Sequence, residues 1–180
     1  MTLRYAYYGD DFTGSTDVLE QLAEGGVDAV LLLREPDEKL LSRFPNVEAI
    51  GIAGDSRSRP PEWMNDHLPK AFAALKHADI VHYKTCSTFD SSPHTGSIGR
   101  AIEIGIRQFG QPAAIVVGAP HVGRYVVFGN LFARAGQGDY RIDRHPTMSR
   151  HPVTPMHEAD LARHLAEQTD ASIVLVPLDR

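Results

Sequence analysis

Three things are scarce in this chain of 180 residues: cysteine, long apolar runs and excess positive charge. The single cysteine, Cys86, excludes an intrachain disulfide and suits a reducing compartment. No apolar run approaches the ~20 residues that cross a bilayer, and the first residues, Met1–Tyr5, do not begin a secretion signal. The net charge of −5 argues against general binding to nucleic acid or to an anionic membrane. We therefore expect a cytoplasmic protein that binds neither nucleic acid nor membranes.

Common nucleotide, metal and phosphatase motifs are also missing. There is no GxxxxGK[ST] loop, and no GxGxxG follows the first apolar run, so we expect no nucleotide site in this chain. His145, His151 and His157 lack the compact spacing of metal ligands, so we expect no metal site either. A phosphatase with an aspartate nucleophile would need two aspartates separated by one residue, whereas Asp10 and Asp11 are adjacent.

Apolar runs alternate with segments of helical periodicity over the first two thirds of the chain. The predicted strands are Leu3–Tyr8, Val27–Leu33, Val47–Gly51, Asp79–Lys84 and Ala113–Gly118. Helical spacing of apolar residues follows the first, third and fourth of these runs. This order predicts βαβ units, and therefore one α/β domain of three layers, with a mainly parallel, Rossmann-like sheet flanked by helices.

The pattern weakens after residue 118. We predict a helix over Glu158–Gln168, capped by Thr154 or His157, and a last strand over Ser172–Val176. The apolar run Tyr125–Phe132 fits no element clearly. Because the chain ends on a strand with no closing element, we expect a second domain in a longer protein.

Two adjacent carboxylates lie between the first predicted strand and the first predicted helix. Asp10 and Asp11 follow the strand Leu3–Tyr8, and Thr13 and Ser15 can cap the helix that comes next. Ordinary loops and caps use the same residue types. Paired carboxylates repel each other and lose solvation, however, so a turn that serves stability alone has little use for both. The carboxyl ends of parallel strands are also where α/β proteins bind ligands.

Further polar clusters follow the third and fourth predicted strands. Arg57 offers a planar fork for a carboxylate or phosphate, and Lys84 offers a compact positive charge. Short hydrogen-bonding side chains come just after Lys84: Ser87, Thr88, Asp90 and Ser91. In a parallel sheet these clusters share an edge with Asp10 and Asp11, and together they suit a small polyhydroxy acid. Each of these residues could instead have only a structural role. Arg57 could be a solvated loop charge, and the hydroxyls could only cap helices. Cys86 is expected to be a small packed residue and not a nucleophile.

Four motifs resemble, in the right order, those of the four-carbon acid sugar kinase family, long catalogued as a domain of unknown function. They are Gly9–Asp17 (GDDFTGSTD), Ser56–Ser58 (SRS), Tyr83–Ser92 (YKTCSTFDSS) and His151–Met156 (HPVTPM). The resemblance spans nearly the whole chain. It implies a kinase whose N-terminal domain binds the sugar acid and whose C-terminal domain carries a glycine-rich ATP site. Residues 1–180 would then be the N-terminal domain, with the C-terminal domain as its partner.

The resemblance also implies substrates and roles. Family members phosphorylate threonate, erythronate, 3-oxo-tetronates or related branched acids with ATP and Mg²⁺. The segments around Gly123–Asn130 and His145–Arg150 resemble a subgroup whose acid is similar to 3-oxo-isoapionate. By motif, Asp10 or Asp11 is the catalytic base and Arg57 meets the carboxylate. The other implied substrate contacts are Lys84, Ser87, Thr88, Asp90 and Ser91.

The resemblance also bears on what the isolated chain does. The full-length protein would be the active kinase and residues 1–180 alone inactive, with the loop Arg144–Met156, including Arg150, closing the cleft or meeting the missing domain. Apolar surface exposed for that domain would favour a homodimer. Two other functions fit the same residues: a free-standing sugar-acid-binding or sensor module without catalysis, and a hydrolase that uses Asp10 or Asp11.

Overall fold

A computed structural model describes residues 3–177, which form two sheets and five helices. The strands of the first sheet are Leu3–Gly9 (β1), Ala29–Leu32 (β2), Ala49–Ala53 (β3) and Ala78–Lys84 (β4). The second sheet contains Arg124–Val127 (β5), Asn130–Ala135 (β6) and Gly138–Arg141 (β7). The helices are Phe12–Glu24 (α1), Glu38–Leu41 (α2), Pro61–Leu75 (α3), Ile98–Phe109 (α4) and Leu161–Ala166 (α5).

The first sheet has the strand order β2-β3-β1-β4, and all its neighbouring strands are parallel. This confirms the predicted α/β fold with a mainly parallel sheet. Gly9, the last residue of β1, is level with Ala53 of β3 and with Lys84 of β4. The residues that follow these three strands therefore meet at one edge of the sheet.

Alternate residues of β1 face different helical layers, as a pleated strand requires. Ala6 and Tyr8 join a core that contains Leu68 and Phe72 of α3. On the other face, the Tyr7 hydroxyl donates a hydrogen bond of 3.0 Å to the carbonyl of Ser15 in α1. The sheet thus lies between α1 and the pair α3 and α4, which gives the predicted three layers.

The second sheet is antiparallel and lies outside what periodicity predicted. The run Tyr125–Phe132 forms a hairpin whose turn contains Phe128 and Gly129, both at positive φ. Two consecutive residues at positive φ are typical of a type I′ turn, whose backbone twist matches that of the two strands it connects. The sheet packs over a second core that includes Leu131 and Met156, and Ile98 of α4 reaches into that core. Helix α4 therefore contacts both cores.

Two predicted strands, Ala113–Gly118 and Ser172–Val176, are wrong: within residues 3–177 neither segment belongs to a strand. Val116 and Val174 are 90% and 82% exposed. A groove of about 770 Å³ runs between the outer edge of β4 and residues 112–119. A strand exists only through hydrogen bonds to a neighbouring strand, and across this groove none forms.

The last helix is shorter than predicted. It spans Leu161–Ala166 rather than Glu158–Gln168, and Asp160 caps it by accepting hydrogen bonds from the N–H groups of Ala162 and Arg163. The proposed caps Thr154 and His157 are therefore also wrong. In the described part of the chain, no helix has the length and apolar character needed to cross a membrane.

Candidate functional site

A pocket of about 380 Å³ lies at the carboxyl-terminal edge of the parallel sheet. Three segments line it: the start of α1, the turn after β3, and the loop between β7 and α5. Their lining residues are Asp10, Asp11 and Phe12; Gly54, Asp55, Arg57 and Ser58; and His151, Val153 and Thr154. The pocket therefore sits where the strand register brings the ends of β1 and β3 together.

Asp10 is held in place by its backbone while its side chain stays unpaired. Its N–H donates to the carbonyl of Lys84 at 3.0 Å, and its own carbonyl accepts from the N–H of Arg57 at 3.0 Å. The residue is 4% exposed. Its Oδ1 has no hydrogen-bond partner among residues 3–177. Buried polar groups normally have a hydrogen-bond partner, so an unpaired carboxyl beside a pocket calls for an explanation, and a ligand in that pocket would give one.

Burial raises the pKa of Asp10 to about 7, because an ionised carboxylate loses solvation there. The positive charge of Arg57 opposes this increase, and the negative charge of Asp11 adds to it. Asp10 can therefore accept or release a proton near neutral pH. A general base works best with a pKa in that range.

Asp11 has the opposite character, because both of its oxygens are engaged. Oδ1 accepts from the N–H of Gly14 at 2.5 Å and so caps α1, and Oδ2 accepts from Arg57 Nη1 at 2.8 Å. A Cβ atom at Gly14 would lie 2.7 Å from Asp11 Oδ1, which is too close. Glycine at position 14 therefore allows the cap that fixes the Asp11 side chain.

Arg57 connects the two sides of the pocket wall. Besides Asp11, it binds Asp90, with 2.6 Å between Nη2 and Oδ1. Asp90 is buried and also accepts from Thr88 Oγ1 at 2.5 Å and from Thr154 Oγ1 at 2.8 Å. Burial by itself would raise the pKa of Asp90, but these hydrogen bonds hold it below its ordinary value. Arg57 is thus a fixed part of the wall and not a solvated loop charge.

A strained residue directs the loop after β4. Phe89 has a φ of +55° and is buried, and its N–H donates to the carbonyl of Cys86 at 2.9 Å. A bulky residue rarely adopts this left-handed conformation, which typically costs about 1–3 kcal/mol. The reversal places Asp90 against Arg57 and Ser91 against His164. Strain of this kind persists where surrounding contacts determine the conformation.

The remaining predicted site residues do not line the small pocket. Ser91 is buried 2.9 Å from His164 Nε2 and also accepts from Gln168, so it belongs to the interior. Thr88 lies beneath the wall, where it supports Asp90. Lys84 and Ser87 line the larger groove beside β4.

Lys84 nevertheless lies close to the site. Its Nζ donates to the carbonyl of Thr85 at 3.0 Å and is 3.5 Å from Asp17 Oδ2. A Cβ atom at Gly14 would lie 3.3 Å from this Nζ. Lys84 and Asp11 therefore flank the same glycine, and Gly14 separates the groove from the small pocket.

Sequence reasoning gave no site role to several residues that line the pocket, among them Phe12, Gly54, Asp55 and Val153. It also missed His151 and Thr154, the two lining residues of the loop between β7 and α5 whose side chains form hydrogen bonds. Both belong to the motif His151–Met156, which contributed to the resemblance without a role for its side chains. Thr154 was expected only as a helix cap. Arg150, the residue expected to act from this loop, is exposed and does not line the pocket. The signal was the motif itself, with two prolines that restrict the loop backbone.

Comparison with known proteins decides the family. Residues 5–180 match the family described as the sugar-binding N-terminal domain. The chain belongs to this family. The match confirms the resemblance that the four sequence motifs predicted.

Similar proteins contain this sugar-binding N-terminal domain as one part of their length. A 3-oxo-isoapionate kinase from Paraburkholderia graminis is 56% identical over 179 residues, which are 98% of this chain and 38% of that protein. A 3-oxo-tetronate kinase from Methylobacterium radiotolerans is 30% identical over 98% of this chain and 40% of its own length. The chain thus spans about two fifths of these curated relatives.

A solved structure shares the fold of the domain. The crystal structure of a Haemophilus influenzae protein of the family DUF1537 superposes with a TM-score of 0.81 at 30% identity. The likeness covers 97% of this chain and 41% of that one. The α/β architecture described above is therefore that of a DUF1537 protein.

Proposed function

We propose that this domain binds the sugar acid in an ATP-dependent sugar-acid kinase, and that the small pocket holds the acid. The observation that carries the proposal is Asp10, a buried carboxyl without a hydrogen-bond partner among residues 3–177, at the pocket wall and with a pKa near neutral. Relatives named 3-oxo-isoapionate kinase and 3-oxo-tetronate kinase support the same reaction.

Asp10 is the general base in this proposal. A hydroxyl oxygen of the sugar acid attacks the γ-phosphorus of ATP. As the new oxygen–phosphorus bond forms, the bond from that phosphorus to the β–γ bridging oxygen breaks. The hydroxyl proton passes to the Asp10 carboxylate, and ADP leaves. Phosphoryl transfer depends mostly on positioning and charge, and Asp10 is positioned at both its backbone N–H and its carbonyl. Asp11 is less suited to this role because both of its oxygens are occupied.

Arg57 supplies the positive charge of the pocket and is the proposed partner of the acid's carboxylate. Each of its Nη atoms already donates one hydrogen bond to a carboxylate, Asp11 on one side and Asp90 on the other. Its remaining N–H groups are left for a ligand, since a guanidinium has five. Lys84, just across Gly14, is proposed to add positive charge from the groove side, with Ser87 beside it.

ATP and Mg²⁺ are proposed to bind mainly to a C-terminal domain of the full-length protein, which is the domain's main partner. Within residues 3–177 no group of three or more metal-ligating side chains comes together. Asp11, the acid next to the proposed base, is already bound to Arg57. Mg²⁺ bound with ATP would neutralise charge on the transferred phosphoryl group.

The proposed substrates are four-carbon or related branched sugar acids. The relative at 56% identity is named for 3-oxo-isoapionate, and those near 30% for 3-oxo-tetronate, which makes an acid similar to 3-oxo-isoapionate the first choice. A cytoplasmic location and a homodimer remain proposals of the same kind.

The test is an ADP-release assay on the full-length protein. The acids are 3-oxo-isoapionate, 3-oxo-tetronate, threonate and erythronate, each with ATP and Mg²⁺. We expect ADP to form with at least one acid and Asp10→Asn to lower kcat about 100-fold or more. Asp66→Asn, at an exposed position in α3, should leave it unchanged. Binding of an acid without ADP release would instead indicate a sugar-acid sensor, and full activity of Asp10→Asn would reject the assigned base.

A further inference from the structure

We propose that His151 binds the sugar acid directly, donating a hydrogen bond from Nε2–H to an oxygen of the substrate. This inference rests on the proposed function, because it takes the small pocket as the acid site. His151 lines that pocket from the loop between β7 and α5, and Asp10 and Arg57 line it from the sheet edge. It is partly exposed, so a ligand in the pocket can reach its ring.

The hydrogen bonds around His151 settle which ring nitrogen carries the proton. The backbone N–H of Thr154 lies 3.1 Å from His151 Nδ1 and can only donate, so Nδ1 is the acceptor. Thr154 Oγ1 is also 3.1 Å away, but its hydrogen goes to the carboxylate of Asp90, which can only accept. A neutral His151 therefore carries its hydrogen on Nε2. In the described part of the chain, Nε2–H has no acceptor.

The loop that carries His151 is linked by hydrogen bonds to the charged residues of the pocket. Thr154 is 3% exposed and links the loop to Asp90, which in turn binds Arg57. The His151 N–H also donates to the carbonyl of Met148 at 3.3 Å. The imidazole is therefore held before any ligand arrives, and ordering it on binding costs little. Thr154 acts through His151 and Asp90 and is a positioning residue.

The chemistry of the pocket favours an acceptor oxygen on the ligand. Each Nη atom of Arg57 gives one N–H to a carboxylate of the protein and keeps one for the ligand, so a further donor on the loop would let the pocket hold a second acceptor oxygen. A neutral N–H donor next to acidic side chains suits a carboxylate or carbonyl oxygen, the acceptors that a 3-oxo sugar acid offers. His151 thus complements Asp10, which faces a hydroxyl of the same molecule.

The experiment measures steady-state kinetics of the full-length protein with the acid that gives the highest kcat/KM of the four named above. His151→Ala should raise the KM for the acid about tenfold, the usual effect of losing such a hydrogen bond. Its kcat and the KM for ATP should stay near those of the wild type. His151→Gln, whose amide nitrogen takes the place of Nε2, should restore most of the affinity. His157→Ala, at an exposed position six residues further on, is the matched control.

Thr154 provides a second readout. Thr154→Val should raise the KM for the acid, because it breaks the link to Asp90, and Thr154→Ser should restore it. An unchanged acid KM in His151→Ala would overturn the inference. Should His151→Ala fail to fold, His151→Gln and His151→Asn decide: a raised KM in Asn alone supports the role of Nε2–H, and equal KM values reject it. A wild-type protein that phosphorylates none of the acids would instead refute the proposed function, and this inference with it.

Discussion

At the scale of single residues, the unusual feature is a buried carboxyl that the fold leaves unpaired. Burying a carboxylate without partners destabilises a protein unless the group takes up a proton. Asp10 has this environment, and its pKa of about 7 is the consequence. Asp90, equally buried, is paired three times and its pKa is lowered. Two aspartates close together thus have pKa values that their surroundings shift in opposite directions, a pattern typical of acid–base sites.

The raised pKa predicts how stability depends on pH. Below pH 4 Asp10 is protonated in both the folded and the unfolded chain. Between about pH 4 and pH 7 Asp10 is ionised in the unfolded chain but still protonated in the folded one, so the free energy of unfolding falls as pH rises. Above pH 7 Asp10 is ionised in both states, and the free energy of unfolding falls no further on its account. The gap between 3.8 and about 7 corresponds to about 4 kcal/mol as an upper bound. Asp10→Asn should therefore stabilise the protein at pH 8 and barely change it at pH 4.

Denaturant unfolding of this domain at several pH values provides the measurement. Asp66→Asn, exposed in α3, serves as the control and should show no pH-dependent gain. A stability difference between Asp10→Asn and the wild type that is constant from pH 4 to pH 8 would contradict the raised pKa.

The same carboxyl sets the expected pH dependence of catalysis. As the proposed base, Asp10 must be ionised to accept a proton, so kcat/KM of the full-length protein should rise with pH, with a midpoint near 7, and level off above it. Arg57→Lys should shift this midpoint, because lysine cannot keep both ion pairs of the guanidinium. A profile that levels off near pH 4 would point to a carboxylate of ordinary pKa instead.

Sequence reasoning located the residues that follow the strands but not their orientation. Asp10, Asp11 and Arg57 were predicted for the pocket and line it, because strand ends and register bring them together. Ser91 was predicted too, yet the positive φ of Phe89 turns it toward His164. No sequence pattern signals that a phenylalanine adopts this conformation.

At the scale of elements, the start of α1 is the part on which the site depends most. Gly14 lets Asp11 cap the helix, and the same Asp11 holds Arg57. A Cβ at Gly14 would crowd Asp11 Oδ1 at 2.7 Å and Lys84 Nζ at 3.3 Å. We expect Gly14→Ala to lower the free energy of unfolding by about 1–2 kcal/mol, the usual cost of a lost cap. It should also raise the KM for the acid.

A second helical glycine gives a matched control. At Gly105 in α4 a Cβ would meet only Phe72, at 3.8 Å, which is an ordinary contact. Gly105→Ala should therefore stabilise the protein by about 0.5–1 kcal/mol, as alanine does in a helix interior. Thermal unfolding of both variants measures the contrast, and a stabilising Gly14→Ala would refute the argument.

Element prediction succeeded where periodicity and pairing agree. The four strands of the parallel sheet were predicted within a few residues of their observed bounds. Ala113–Gly118 and Ser172–Val176 have equally apolar sequences but form no strand within the described residues. Apolar composition indicates that a segment avoids water, whereas a strand also needs a partner in register. Partners of this kind are set by tertiary structure.

At the scale of the whole molecule, the pocket joins two cores that are built differently. The parallel sheet supplies Asp10 and Arg57, while the loop packed against the second core supplies His151 and Thr154. These parts are far apart in sequence, and the link from Asp90 to Thr154 spans 64 positions. Such contacts have no local signal. Individual residues were therefore predicted on the sheet side, whereas on the other side the loop Arg144–Met156 was expected at the cleft without the roles of His151 and Thr154.

Because both walls of the pocket lie within residues 3–177, this domain alone should bind the acid. At an acid concentration about 100 times the dissociation constant, ligand binding should stabilise the fold by about 2.7 kcal/mol. Thermal unfolding of residues 1–180 with each of the four acids, and separately with ATP and Mg²⁺, tests this. We expect one acid to raise the Tm, Asp10→Ala and His151→Ala to weaken the increase, and ATP to have no effect. Stabilisation by ATP alone would place the nucleotide in this domain and contradict the proposed division between two domains.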